Sequence, residues 1–164
     1  MLNAPRAYTL LFTLFLLSLL AGCASGPRMQ ETIAPTPSAA QALSIERAMI
    51  LANARQALGT PYRYGGASID GVDCSGLVQM TYGAAGIAVP RTANQQFSRL
   101  PGREQARPGD LLFFGSGSTA THVGIYLGQH QMIHAPGEGR EVTLTSLDLD
   151  YWQNRFLGAS GPAP

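Results

Sequence analysis

The chain has 164 residues and a formal net charge of +1, with only 13% charged side chains. Its 11 basic residues are all arginine and lie scattered, so no basic patch or stripe of the kind that grips nucleic acid can be traced, and no nucleic-acid partner is expected. No internal repeat is present, and the length suits one ordinary domain with a single core beside a terminal segment.

Residues 1–22 read as a signal peptide. A single basic residue, Arg6, precedes the uncharged apolar run YTLLFTLFLLSLL, which has signal-peptide length and is too short and wrongly flanked for a stable membrane span. The run closes on LAGC, Leu20 to Cys23, which resembles a bacterial lipobox. That resemblance implies a lipidated Cys23 as the first mature residue. Ala24, where an Asp would signal retention at the inner membrane, implies an outer-membrane anchor facing the periplasm. Residues 23–43 are rich in Pro, Ser, Thr and Ala and read as a flexible tether. About twenty such residues give a typical end-to-end distance of ~25 Å and a stretched limit near ~70 Å. The chain has two cysteines. If lipid occupies Cys23, Cys74 has no intramolecular partner, which rules out a structural disulfide.

The domain is expected over residues 44–161. Ser44 is a suitable N-cap for a helix through SIERAMILANARQALG, with Glu46 in its first turn and Gly59 and Pro61 ending it. Ile45, Ala48, Met49 and Ala52 fall at helical spacing and are the expected core face. GTPYRYGG is a turn-rich loop. A second helix should start at or just before Cys74, carry Leu77, Val78 and Thr81, and end at GAAG. VPRTANQQFSRL should be a loop and a short helix. ARPGDLLFF is a turn feeding a buried strand, THVGIYLG and QMIHA form a hairpin, and YWQNRFLGA supplies a further helical turn and a last strand. Helices first and strands after imply an α+β domain whose antiparallel sheet is covered by helices on one side.

Cys74 at a helix start is placed where free N–H groups and the helix dipole favour a thiolate, so its pKa is expected to fall. The polar neighbours Asp73 and Ser75 and the preceding glycines weigh against a merely buried thiol. A cysteine nucleophile needs a base, and the hairpin carries His122 and His134. A loop of three residues, Gly128 to His130, or of five would set His134 opposite Gly124 and on the face of His122, with Cα atoms roughly 7–8 Å apart. Loops of two or four residues would separate them, because register parity flips every side chain. The odd loop is therefore expected. His134 could then hold the outer nitrogen of His122 and fix its tautomer. His130 falls in the turn and should be solvated.

In that order, PYRYGG…DCSGLV, RPGDLLFF, HVGIYLG and IHA resemble the NlpC family of papain-like cell-wall cysteine peptidases, from about Leu51 to Phe156. The resemblance implies a papain-like α+β fold, with N-terminal helices packed on an antiparallel sheet. It implies Cys74 as nucleophile, His122 as general base, His134 as the residue orienting it, and Tyr62 as a hydroxyl assisting the Cys74 backbone N–H with the oxyanion. Asp73, Ser75 and Arg91 match groove positions, although the first two also suit helix capping. The layout is similar to outer-membrane murein endopeptidases, implying peptidoglycan stem peptides as substrate. No segment resembles the extra wall-binding barrel of members that trim free stem peptides, which points to the cross-link between D-alanine and meso-diaminopimelate. The bond between γ-D-glutamate and diaminopimelate is the other family choice. No cofactor or metal is expected; the membrane is met through the lipid anchor, and the protein is expected to be a monomer under a periplasmic regulator or protease.

Three rival readings are weaker. A non-catalytic wall-binding lipoprotein would ordinarily have lost a nucleophile or base. A lecithin:retinol-type acyltransferase fits poorly with a hydrophilic, Gly-rich groove. A zinc site from Cys74, His122, His130 and His134 lacks suitable ligand spacing.

Overall fold

Residues 44–164 are described by the structure, a computed structural model; the expected signal peptide, Cys23 and tether lie outside them. Helix α1, Ile45–Gln56, begins at Ser44, whose hydroxyl accepts the Arg47 N–H at 3.3 Å. Its buried face differs from the one expected: Arg47, Ile50, Leu51 and Ala54 point inward, while Ile45 is 77% exposed and Met49 41%. The cause is a long-range partner. Arg47 enters the interior because its Nη2 donates to Asp110 Oδ1 at 2.7 Å, and this rotates the helix away from its Ile45–Met49 stripe.

A small hairpin, β1 (Ala67–Ser68) and β2 (Gly71–Val72), leads into α2, Cys74–Ala84, which Asp73 caps. Leu77, Val78 and Thr81 of α2 are buried as their spacing predicts, and Tyr82 is buried with them. Helix α3, Ala93–Arg99, follows with Thr92 as its cap, and then the two-residue strand β3, Gly102–Arg103. Pro108-Gly109-Asp110 turns the chain. Gly109 at φ +89° takes the left-handed position, and the Asp110 N–H closes the turn on Arg107 O at 2.9 Å. Strand β4, Leu111–Ser116, then enters the core with its first four residues buried.

Strands β5 (Thr119–Gly128) and β6 (Gln131–His134) form the hairpin, followed by β7 (Thr143–Ser146), α4 (Asp150–Gln153) and β8 (Phe156–Ser160). These strands, with β3 and β4, make one antiparallel sheet of six in the order β3-β8-β4-β5-β6-β7. Helices α1 to α3 cover one face, where Ile50, Leu77, Val78, Tyr82, Phe113, Val123 and Ile125 share the main core. The opposite face is not bare: Leu112, Phe114, Met132 and Ala159 pack with Trp152 of α4 into a second cluster. Packing continues past Gly161, since Ala163 is buried and its carbonyl accepts from Arg47 at 3.0 Å. No helix among the described residues is long and apolar enough to cross a membrane.

The hairpin corrects the expected loop. Its turn has two residues, Gln129 and His130, both at positive φ (51° and 55°), closed by Gly128 opposite Gln131. A two-residue turn should have placed the histidines on opposite faces. A bulge between Tyr126 and Gly128 adds one residue to β5 and restores the parity, so that Ile125 pairs with Ile133 and Tyr126 with Met132. Gly124 is needed beside them, for a Cβ there would stand 2.6 Å from Met132 Sδ and 3.5 Å from His134 Cβ.

Candidate active site

The stretch DCSG is a helix start under tight constraint. Asp73 Oδ1 accepts the Gly76 N–H at 2.7 Å and the Ser75 hydroxyl at 3.1 Å, and Oδ2 accepts the Gly65 N–H at 3.0 Å. Gly76 is required by packing, because a Cβ on it would come within 1.9 Å of the Gly66 carbonyl oxygen. The Gly-rich loop and the first turn of α2 therefore lock together and fix the direction of Cys74. Arg91 completes the arrangement, with Nη1 donating to Asp73 Oδ1 and Ser75 Oγ at 3.0 Å each and Nη2 to Asp73 Oδ2 at 2.7 Å. Asp73 and Ser75 are mostly buried with their polar atoms committed to each other and to Arg91. Arg91 is the more open of the three. Behind them, buried Gln96 donates from Nε2 to Pro90 O at 2.8 Å and Ser75 O at 3.3 Å, tying α3 to this turn.

Cys74 is a free thiol on a groove of about 420 Å³, bordered also by Tyr62, Tyr64, Asp73, Ser75, Arg91 and Asn94. The expectation for its pKa is overturned. Burial pushes the thiol above its ordinary value, and the Asp73 carboxylate adds to the rise; N–H groups of Val123 and Ser75 oppose it without prevailing. Desolvation of a thiolate outweighs the helix start here. Tyr62 lies beside the thiol, its own pKa raised by burial and then by the charges of Cys74 and Asp73. Its main-chain N–H donates to Arg140 O at 2.8 Å.

On the sheet, His122 Nε2 and His134 Nδ1 are 2.8 Å apart, with the rings perpendicular and 5.0 Å between centroids. His134 is almost wholly buried, and its Nε2 meets Thr145 Oγ1 of β7 at 3.0 Å. Trp152 packs on both imidazoles, at 5.4 Å from His122 and 5.0 Å from His134. Burial, then the positive charge of Arg140, pulls His122 down to about 4. Burial, His122 and Arg140 pull His134 down to about 3. Both rings are thus neutral at pH 7. Thr121, the residue before His122, borders the same groove as Cys74, which brings helix start and strand together. Among the described residues no hydrogen bond joins Cys74 Sγ to the His122 ring, a looseness common before substrate arrives. His130 stays outside: it is 74% exposed on the turn and pairs with Asp148 Oδ1 at 2.8 Å, away from the other two histidines.

Sequence reasoning did not single out Thr145, Trp152, Tyr64, Asn94 or Arg140. Trp152 is the sole tryptophan, a signal that was available. Thr145 and Arg140 carry none, since only strand pairing and loop path bring them to the histidines.

A cysteine at the head of a helix that packs on an antiparallel sheet, with histidines on adjoining strands, is a papain-like α+β arrangement. The chain belongs to the NlpC/P60 family, whose profile matches residues 59–161. It is similar to Murein DD-endopeptidase MepH of Escherichia coli strain K12, 44% identical over 113 residues that cover 63% of this chain and 41% of MepH. It is also similar to the probable endopeptidase NlpC of the same strain, 42% identical over 147 residues, which cover 86% of this chain and 91% of that protein. The crystal structure of an NlpC/P60 family protein from Bacillus cereus superposes with a TM-score of 0.68 at 31% identity, covering 79% of this chain and 42% of the other. The chain thus spans less than half of MepH and of the Bacillus cereus protein.

Proposed function

We propose that this chain is a peptidoglycan hydrolase, a cysteine endopeptidase that cuts stem-peptide amide bonds through a thioester, most readily the D-alanine to meso-diaminopimelate cross-link. The observation that carries the proposal is the ordered relay His122–His134–Thr145 on the sheet, with a free thiol at the start of α2 whose groove Thr121 borders one residue before His122. The names of its relatives, a murein DD-endopeptidase and a probable endopeptidase, support it.

The raised thiol and the depressed imidazoles specify the resting state as neutral thiol and neutral imidazole. With Nε2–H of His122 donated to His134 Nδ1, and Nε2–H of His134 donated to Thr145, the free Nδ1 of His122 is left as the base. As sulfur attacks the carbonyl carbon, the thiol proton passes to that nitrogen, and the oxyanion is held by the Cys74 N–H and the Tyr62 hydroxyl. The imidazolium then protonates the departing nitrogen, the C–N bond breaks, and a thioester remains. Water attacks it, giving a proton to His122, and the restored thiol leaves as the carboxylic acid forms. Arg91, with Asp73 and Ser75, lines the acyl side of the groove.

The lipobox-like LAGC supports anchoring of the chain through Cys23 in the outer membrane, facing the periplasm; a monomer restrained by a periplasmic regulator or protease is part of the same proposal. Substituting Cys23→Ser should abolish incorporation of a labelled fatty acid and move the protein out of the membrane fraction.

The deciding experiment is mass spectrometry of muropeptides released from purified sacculi by the full chain in detergent, beside Cys74→Ala. Cross-linked dimers should become monomers only with the intact thiol. Loss of stem tails after glutamate would instead assign the γ-D-glutamyl bond. An unchanged profile from folded protein would remove the catalytic reading in favour of a wall-binding role.

A further inference from the structure

A second space adjoins the site. It has a volume of about 810 Å³ and is bordered by His122, His134, Arg140, Glu141, Thr145 and Trp152 among others. Cys74 does not border it; Thr121 borders both this space and the Cys74 groove, marking where they meet. Arg140 reaches it from the turn between β6 and β7. The turn is held in place by its main chain, with the Arg140 N–H on Gly137 O at 3.2 Å and the Arg140 carbonyl accepting from Tyr62. The guanidinium is exposed, and its hydrogen bond is to the Pro136 carbonyl at 3.1 Å. No carboxylate lies within 4.0 Å of it among the described residues, although Glu141 borders the same space. Gly137 leaves it room: a Cβ there would stand 3.3 Å from Nη2. The same positive charge is felt at both imidazoles.

This cation has a chemical consequence for the leaving half of a substrate, given the endopeptidase reading above, on which the inference rests. His122 hands its proton to the departing nitrogen, so the amino acid that carries that nitrogen must pass the ring and extend into the space the ring borders. The two candidate bonds differ there. In the D-alanine to diaminopimelate cross-link, the carbon bearing the scissile nitrogen also bears a free carboxylate. In the γ-D-glutamyl bond of a tetrapeptide stem, the corresponding carboxyl is already consumed in the next amide. We infer that Arg140 is a specificity residue of the leaving-group side, binding the free carboxylate on the carbon next to the scissile nitrogen and selecting the cross-link over the stem bond. An unpaired guanidinium suits a planar carboxylate, which it can take with two N–H donors.

The test uses the full chain in detergent and two cross-linked dimers, identical except that one carries a carboxamide in place of that carboxylate. Wild type should cleave the carboxylate dimer with a kcat/KM about 10- to 100-fold above the carboxamide. Arg140→Ala should lose a similar factor on the carboxylate dimer and less than about 3-fold on the carboxamide, and Arg140→Lys should recover part of the loss. Equal cleavage of both dimers by wild type, or an equal loss by Arg140→Ala on both, overturns the inference while the endopeptidase reading stands. Cleavage confined to the γ-D-glutamyl bond does the same. Absence of Cys74-dependent turnover of any stem peptide removes the endopeptidase reading and this inference with it. The carboxamide comparison in wild type needs no variant to fold.

Discussion

Two arginine–aspartate pairs of equal length, 2.7 Å, stand in contrasting surroundings. Arg47 and Asp110 are 3% and 0% exposed. Their guanidinium also donates to the carbonyls of Pro108, Ala163 and Pro164, and Asp110 Oδ2 takes the Arg107 N–H at 2.8 Å. Arg91 and Asp73 open onto the Cys74 groove, with Arg91 36% exposed. The same chemistry serves two ends. A sealed pair stripped of one member leaves a charge in a place that cannot hydrate it, so the first pair locks α1 to the turn before β4. Water can reach Arg91 at the second pair, and Asp73 keeps the Gly65 and Gly76 N–H donors whether or not Arg91 is present, so losing a partner there strands no charge.

The largest expected effect tests the sealed pair. Arg47→Ala should lower the unfolding free energy by about 3–5 kcal/mol in urea titrations, and pairing it with Asp110→Leu should recover much of that loss. A cost near that of an exposed pair would break the contrast. Acid should attack the site region next. The folded pKa values of His122 and His134, about 4 and about 3, lie below their ordinary 6.5, so the unfolded chain takes up protons first. The stability these rings contribute is therefore intact above pH 6.5 and is lost as pH falls from there through the folded values. A decline on the order of 5 kcal/mol between pH 7 and 4.5 is expected from the two rings together, with about half that slope in His134→Asn. Denaturant titrations across that range check it. Tyr62→Phe should cut kcat by about 100-fold with little movement in Tm, as expected when an oxyanion donor is lost. The smallest effect falls on the open pair: Arg91→Ala should cost less than about 1 kcal/mol of stability, discounted for solvent screening. Its loss should appear chiefly as a raised KM in muropeptide assays.

Much of the architecture was legible because near neighbours govern it. Ser44 and the Asp73-Cys74 junction announce helix starts, Pro108-Gly109-Asp110 announces the strand that follows, and the two β-like runs announce the hairpin that carries both histidines. The errors have different origins. On α1 the stripe through Ile45 and Met49 looked like the core face, yet Arg47 is the buried residue because its carboxylate partner lies 63 positions away. The hairpin loop was misjudged because its turn uses Gln129 and His130 at positive φ where Asn-Gly would have been the signal, and because a bulge carries no sequence mark. The helix covering the second sheet face was foreseen as a turn without its role, which is to seat Trp152 on the imidazoles.

The order of motifs along the chain by itself determined the α+β class, the helix start at Cys74 and the strand placement of His122 and His134, since capping, turn chemistry and alternation act over a few residues. Only the tertiary structure decided the protonation of the site. A thiol at a helix start is driven one way by the local dipole and the other by loss of water and by the Asp73 charge, and how much water is lost depends on the packing of strands distant in sequence. The same holds for Thr145 behind His134 and for Arg140 beside the rings, whose charge reaches the site through space and not through sequence.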